Sequence, residues 1–279
     1  MRCELGTICS RLSSGKGIPS KLVKSEGKYP IYGGNGLRGY TDTYNFDGEC
    51  AVIGRQGAFC GNVRYFKGTA YMTEHAVVVC ADENNSTQYL AYLLATMQLG
   101  RLSGQSAQPG LSVKTLSKQM IDVPPLETQK KVASILRSFD DKIELNNKIN
   151  ENLEQQATAL FNNFYDQAET EISFTDVIQI LGGGTPKTGE SGYWGGKIPF
   201  FTPKDIGSPY TLNTEKTITE AGLARCNSRL YPINTVFVTA RGTVGKVGMA
   251  GVPMAMNQSC YALVGKGIHQ LLVYFYTLK

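Results

Sequence analysis

The sequence predicts an α+β chain in which two copies of one β-rich domain, each with a twisted sheet, are joined by a single long helix of coiled-coil type. Three observations predict it. Residues 60–79 align without a gap on residues 244–263; Leu126 to about Gln167 runs without Gly or Pro on a heptad seam; and the charge falls into three blocks, +4 over 1–125, −4 over 126–171 and +5 over 172–279. At 279 residues and 42% apolar content the chain can bury two cores and carry a connector. The expected division is 1–125, 126–168 and 169–279.

Each copy is read from short β-type runs between Gly-containing turns. In the first these are Cys50–Ile53 and His75–Cys80, followed by a helical pattern over Thr87–Gln98. In the second they are Thr235–Thr239 and Cys260–Val264. The repeat pairs "GKYPIY" (27–32) with "GKIPFF" (196–201), "AVIGR" ending at Arg55 with "VFVTAR" ending at Arg241, and "QYLAYLLATM" (88–97) with "QLLVYFYTLK" (270–279). Inside the ungapped block Gly61 pairs with Gly245, Val63 with Val247 and Thr73 with Asn257.

Between the copies, "VPPLETQ" stops a strand and starts the helix. Val132, Leu136, Phe139, Ile143, Leu153, Leu160 and Phe164 fall, with Asn146, Asn150 and Ala157, on positions spaced by four and three, the seam of a coiled coil. A helix that long cannot bury such a stripe against one small domain and needs a second helix. Asn146 and Asn150 interrupt the seam, either to fix register or because the helix is locally exposed there.

Several function classes find no support. There is no G-x-G-x-x-G, no Asn-Pro-Pro-aromatic tetrad and no H-E-x-x-H; "GTPKTGES" (184–191) carries Glu190 where a phosphate-binding loop needs Lys. His75 and His269 are not equivalent in the repeat, so no shared histidine chemistry is expected, and neither a cofactor nor a metal is predicted. The seven cysteines show no C-x-x-C spacing and lie mostly in apolar surroundings, which reads as buried thiols. The N-terminal "MRCELGTICSRL" lacks the apolar core of a signal peptide, and a cytoplasmic location is expected.

The stretch "SGQSAQPGLSVKTLSKQMIDVPPLETQKKVASILRSFDDKI" (103–143) resembles the end of a target recognition domain and the start of the central helix in the DNA specificity subunits of type I restriction-modification systems. "GGGTPKTGESGYWGGKIPFFTPKDI" (182–206) resembles the opening of a second such domain. The resemblance implies that each domain reads one half of a split double-stranded DNA site. It also implies that the helix sets their spacing, and that methyltransferase and translocase (restriction) subunits supply the catalysis while this chain has none. Reading DNA takes Lys and Arg on phosphates and Arg, Lys, Asn or Gln at base edges. Polar and basic residues in Gly-flanked loops are the candidates: Asn35, Arg38, Arg55, Gln56, Arg64, Gln105 and Lys114 in the first copy; Lys187, Lys204, Arg241 and Lys246 in the second. Tyr32, Tyr40, Tyr44 and Trp194 are candidates either for stacking on DNA or for packing.

By the repeat alignment residue 279 falls opposite Met97, so the second copy is expected to be C-terminally incomplete and its helix absent. The exposed seam would then be covered by the same helix of another copy, antiparallel, with Asn146 and Asn150 near the two-fold centre. Two other readings are weighed: an enzyme, for which neither copy offers a repeated acidic cluster or cofactor loop, and a truncated, helix-mediated interaction protein with little DNA binding of its own.

Overall fold

The computed structural model describes residues 1–103, 110–169, 171–206 and 209–279. The chain forms two compact units, Met1–Asn147 and Lys148–Lys279. The first contains β1 (Arg2–Glu4), β2 (Cys9–Ser14), β3 (Tyr29–Gly33), β4 (Gly36–Thr41), β5 (Phe46–Gly54), β6 (Val63–Met72), β7 (Ala76–Ala81), α1 (Thr87–Thr96), α2 (Val113–Ser117), β8 (Met120–Asp122) and the first part of α3 (Leu126–Asp166). Its main sheet has the order β2-β7-β5-β6-β3-β4, and β1 pairs antiparallel with β8. Leu5, Ala51, Ile53, Val77, Val79, Leu90 and Leu94 form its principal core with Leu111, Leu116, Ile121 and Val123.

The second unit holds the rest of α3, then α4 (Phe174–Val177), β9 (Ile178–Gly182), β10 (Trp194–Phe201), β11 (Tyr210–Thr211), β12 (Lys216–Ile218), α5 (Glu220–Ala224), β13 (Val236–Thr239), β14 (Val247–Ala250), β15 (Ala255–Met256), β16 (Cys260–Gly265) and α6 (Gln270–Leu278). Its sheets are β11-β14-β13-β16-β9 and β12-β10-β15.

The strand pairings bear out the internal repeat. β3 runs parallel to β6 with Ile31 opposite Tyr71, and β10 runs parallel to β15 with Phe200 opposite Ala255. Gly61 and Gly245 both adopt left-handed backbone, with φ of 85° and 82°. At Gly15 and at its counterpart Gly183 a Cβ would overlap backbone carbonyls, of Met72 and Thr73 in one unit and of Met256 and Asn257 in the other. One difference is that β6 is continuous while its counterpart is broken into β14 and β15. Pro253 lies in the break, and a residue without an N–H cannot continue the ladder.

Two sequence pairings shift by one residue. The N–H of Arg55 donates to the His75 carbonyl (2.9 Å) and that of Ala240 to the Ser259 carbonyl (2.8 Å), so Ala240, not Arg241, stands at Arg55's place and Arg241 at Gln56's. The Ala81 N–H donates to Thr87 Oγ1 and the Gly265 N–H to Gln270 Oε1, which aligns Thr87 with Gln270 and Tyr92 with Phe275. Loop and side-chain hydrogen bonds mark these registers, and a loop one residue shorter hides behind a matching Arg.

α3 begins after Pro124 and Pro125, as the sequence predicts. Its anchor is Gln129, 1% exposed, whose Oε1 accepts from the Ser86 N–H (2.9 Å) and whose Nε2 donates to Asn85 Oδ1 (2.8 Å) and the Pro124 carbonyl (2.9 Å). Within the second unit Phe161 is buried and stacks on Phe275 of α6 at 5.3 Å. All seven seam residues, Val132, Leu136, Phe139, Ile143, Leu153, Leu160 and Phe164, are exposed, and so are Asn146 and Asn150. The cysteines are free and buried or half-buried, and burial pushes the Cys50 and Cys260 thiols up to about 12. No described helix is long and apolar enough to cross a membrane.

Candidate nucleic-acid interface

In the first unit the turn between β3 and β4 leans on the loop that follows β5. A Cβ on Gly34 would come within 3.1 Å of the His75 carbonyl and 3.6 Å of the Gln56 carbonyl, and one on Gly36 within 3.1 Å of the Arg64 guanidinium. The turn therefore sets exposed Asn35 beside Arg55, Gln56, Arg64 and His75. Gln56 Oε1 lies 3.0 Å from His75 Nδ1, and His75 Nε2 lies 3.2 Å from Glu74 Oε1, so the imidazole fixes the Gln56 amide at the surface. The Arg55 carbonyl accepts from the Leu111 N–H at 2.8 Å, and Gln56 bridges to Gly110. Gln105 lies outside the described residues.

Arg64 also lines a cleft of about 680 Å³ with Asn62, Gln98 and Arg101. Two guanidinium groups and two amides at its wall suit a phosphate-bearing ligand. Burial pushes the Tyr32 phenol up, Tyr40 adds to this and the Arg64 cation opposes it. Arg38 is exposed on β4, beyond the turn, and Lys114 lies on α2, which packs on Leu5–Ile8 and β2.

The second unit builds the same place from different side chains. A cleft of about 400 Å³ is lined by Thr202, Lys204, Lys216, Arg241, Asn257 and Ser259 among others. In the repeat Lys204 corresponds to Asn35, Arg241 to Gln56, Asn257 to Thr73 and Ser259 to His75. Asp205 shapes the loop that carries Lys204: its Oδ2 accepts from the Thr202 N–H (2.8 Å) and Oγ1 (2.7 Å), and its Oδ1 from the Glu215 N–H (2.7 Å). Lys204 Nζ is 3.7 Å from Glu215 Oε2. Trp194 donates through Nε1 to the Lys187 carbonyl at 3.2 Å and lies under the Lys216 amine, 5.8 Å from its ring centroid. Lys246 is exposed in the loop before β14, its N–H held by Thr239 Oγ1 at 3.0 Å.

Of the sequence candidates, Asn35, Arg55, Gln56 and Arg64 are thus brought together in one unit, and Lys204 and Arg241 in the other. Tyr32 packs on Phe66 (4.9 Å) and Tyr44 on Tyr29 (5.0 Å). Sequence reasoning passed over Asn62, Gln98, Arg101 and Lys216. Asn62 could have been found, because the ungapped repeat sets it opposite Lys246; the others carry no signal in the sequence. Among the described residues no group of three or more His, Cys, Asp or Glu could hold a metal ion.

The family model for the type I restriction modification DNA specificity domain matches residues 2–155 and again 169–279. Among curated proteins, the Escherichia coli type I restriction enzyme EcoprrI specificity subunit is 46% identical over 112 residues, 40% of this chain and 28% of that protein. The MjaIX specificity subunit of Methanocaldococcus jannaschii is 34% identical over 109 residues, 37% of this chain and 25% of that protein. A putative type I specificity subunit of Mycoplasma pneumoniae, S.MpnORF507P, is 26% identical over 261 residues, 88% of this chain and 68% of that protein. The matched stretches thus span under a third of the first two relatives. The crystal structure of the type I restriction-modification S subunit from M. genitalium shares the fold, with a TM-score of 0.68 at 16% identity over 100% of this chain and 76% of that one.

Proposed function

Since the chain belongs to the type I restriction-modification DNA specificity family, we propose that it is the sequence-reading subunit of such a complex, with each unit reading one half of a split double-stranded site. The observation that carries this reading is the repeated constellation. One scaffold position holds Asn35 or Lys204, a second Gln56 or Arg241, a third His75 or Ser259. Two copies of one fold that differ at the surface in amide and cationic side chains are suited to read two different half-sites, because Asn and Gln match adenine and Arg and Lys match guanine or phosphate. Arg38, Arg55, Arg64, Lys114, Lys187 and Lys246 add phosphate contacts around them, and Gln105 belongs to the same set.

On this reading residues 1–125 and 169–279 are the two recognition domains and 126–168 the spacer. The chain is non-catalytic and cytoplasmic; methyltransferase and translocase subunits bring the chemistry. The exposed seam of α3 supports an antiparallel pairing of two copies, since each large apolar side chain fully buried contributes about 1.5 to 3 kcal/mol. The reading of a helix-mediated interaction protein with little DNA binding has no observation of its own in its favour.

The test is selection from a randomised duplex pool, with and without a methyltransferase subunit of the same family, followed by sequencing of the bound DNA. The expected result is enrichment of two short elements at fixed spacing. Salt-sensitive binding with no sequence enrichment would refute sequence reading.

A further inference from the structure

The turn that joins β6 to β7 carries a chain of contacts that ends on Gln56. Thr73, Glu74 and His75 form the turn, and the half-buried His75 ring lies between the Glu74 carboxylate and the exposed Gln56 amide. His75 Nε2 is 3.2 Å from Glu74 Oε1, and His75 Nδ1 is 3.0 Å from Gln56 Oε1. Both ring nitrogens thus face oxygens. An imidazolium has an N–H for each, whereas the neutral ring carries one N–H and one lone pair.

The neutral ring must therefore give up one of the two contacts as they stand, and Glu74 decides which. Glu74 Oε2 is shut away from solvent with no hydrogen-bond partner among the described residues, and a Cβ on Gly17 would lie 3.8 Å from it. A carboxylate placed in this way keeps the N–H at His75 Nε2, which leaves the lone pair at His75 Nδ1. The Gln56 amide then turns over and donates to His75 Nδ1 through its own Nε2. Gln56 Oε1, held against the ring in one state, is released in the other.

We infer that Glu74 and His75 are positioning residues for Gln56: they fix the order in which its amide presents donor and acceptor to a base, and protonation of His75 reverses that order. The inference rests on the reading of Gln56 as a base-contacting residue. Adenine matches a glutamine when the glutamine Nε2 donates to N7 and its Oε1 accepts from the N6 amine. With the amide turned over, donor faces donor and acceptor faces acceptor. One charge state of His75 accepts adenine at this position and the other refuses it.

The other titratable groups on the described elements packed around the turn are Lys16 after β2, Tyr32 on β3, Arg55 after β5 and Arg64 on β6. Carboxylate, guanidinium and amine groups keep their charge and phenols stay neutral between about pH 5.5 and 8, whereas histidine changes state there. The second unit is built without such a group: Gln258 stands at Glu74's place and Ser259 at His75's, and neither side chain titrates.

The test is selection of bound duplexes from a randomised pool by the intact 279-residue chain with a methyltransferase subunit of the same family, at about pH 5.5 and about pH 8. One position of one half-site is expected to change its preference for adenine over its competitors by roughly tenfold or more between the two conditions. The half-site of the second unit should keep its preference. His75→Asn, which has no group to titrate, should show one preference at both pH values. So should Glu74→Gln, whose amide can donate to His75 Nε2 and leave an N–H at His75 Nδ1 for Gln56 Oε1. Two enriched elements whose bases do not change with pH overturn the inference and leave base reading standing, and no enrichment at either pH overturns both. A pH-dependent preference that survives in His75→Asn also overturns the inference. The free protein gives a further readout that needs neither DNA nor a variant. Nitrogen chemical shifts of the His75 ring should show its neutral form protonated at Nε2, and a neutral form protonated at Nδ1 overturns the inference.

Discussion

Gln56 and Arg241 occupy one backbone position of a repeated fold: each follows a residue whose N–H donates to the carbonyl of the turn residue just before a strand, His75 in the first unit and Ser259 in the second. A neutral amide and a cation at the same place should read different bases. Replacing either with Ala is expected to relax one position of one half-site, at about 1 to 3 kcal/mol, and to leave the other half-site unchanged. Selection of bound duplexes by each variant measures this directly.

Arg64 and Arg101 share a cleft and should behave otherwise. Replacing either with Ala is expected to weaken all duplexes alike and to lower the slope of log affinity against log salt by about 1. A changed base preference with an unchanged slope would move that residue to a base edge.

Gln129 is buried with three hydrogen bonds at the start of α3. Gln129→Ala strands the Ser86 N–H and leaves a cavity, and the first unit should lose about 2 to 3 kcal/mol, read as a lower urea midpoint. Lys130→Ala on the exposed side is the control and should change little.

Gly15 and Gly183 have no room for a methyl group against backbone carbonyls. Gly15→Ala should destabilise the first unit and Gly183→Ala the second, each by about 1 to 3 kcal/mol. Hydrogen exchange resolved by unit would show the two losses separately.

Tyr65 and Tyr92 should ionise late in an alkaline titration. Burial pushes the Tyr65 phenol up to about 12, with the Glu49 carboxylate adding to it; burial and then the Asp140 carboxylate, which accepts from Tyr92 Oη at 2.5 Å, push Tyr92 up as well. Because the folded state favours the protonated phenol, this contribution is fully present below the ordinary tyrosine pKa of about 10 and is lost as pH rises through the folded value. Tyrosinate absorbance should therefore lag behind that of the unfolded chain between about pH 10 and 12, and Tyr92→Phe should remove part of the lag.

Much of this was legible from residues alone. The α3 boundaries follow from Pro124, Pro125 and the run without Gly or Pro that follows them, and the repeat follows from Gly61 and Gly245, whose backbone needs glycine. What stayed hidden depends on hydrogen-bond register. A matching Arg concealed the one-residue offset between Arg55 and Arg241, and a matching Gln concealed the offset in the helices. The clefts were hidden for another reason: Arg101 and Lys216 reach them only through the packing of segments distant in sequence.

The pairing of β1 with β8 bears on synthesis. Arg2 leaves the ribosome before the main sheet of that unit, and its partner Asp122 follows only after the whole of that sheet has been made. The sheet can form while the nascent strand β1 is still without its partner, and closure waits for the segment just before the prolines. Slow translation across residues 111–125 would prolong a state in which the apolar face under Leu111 and Ile121 is open, the interval in which a chaperone would have its target.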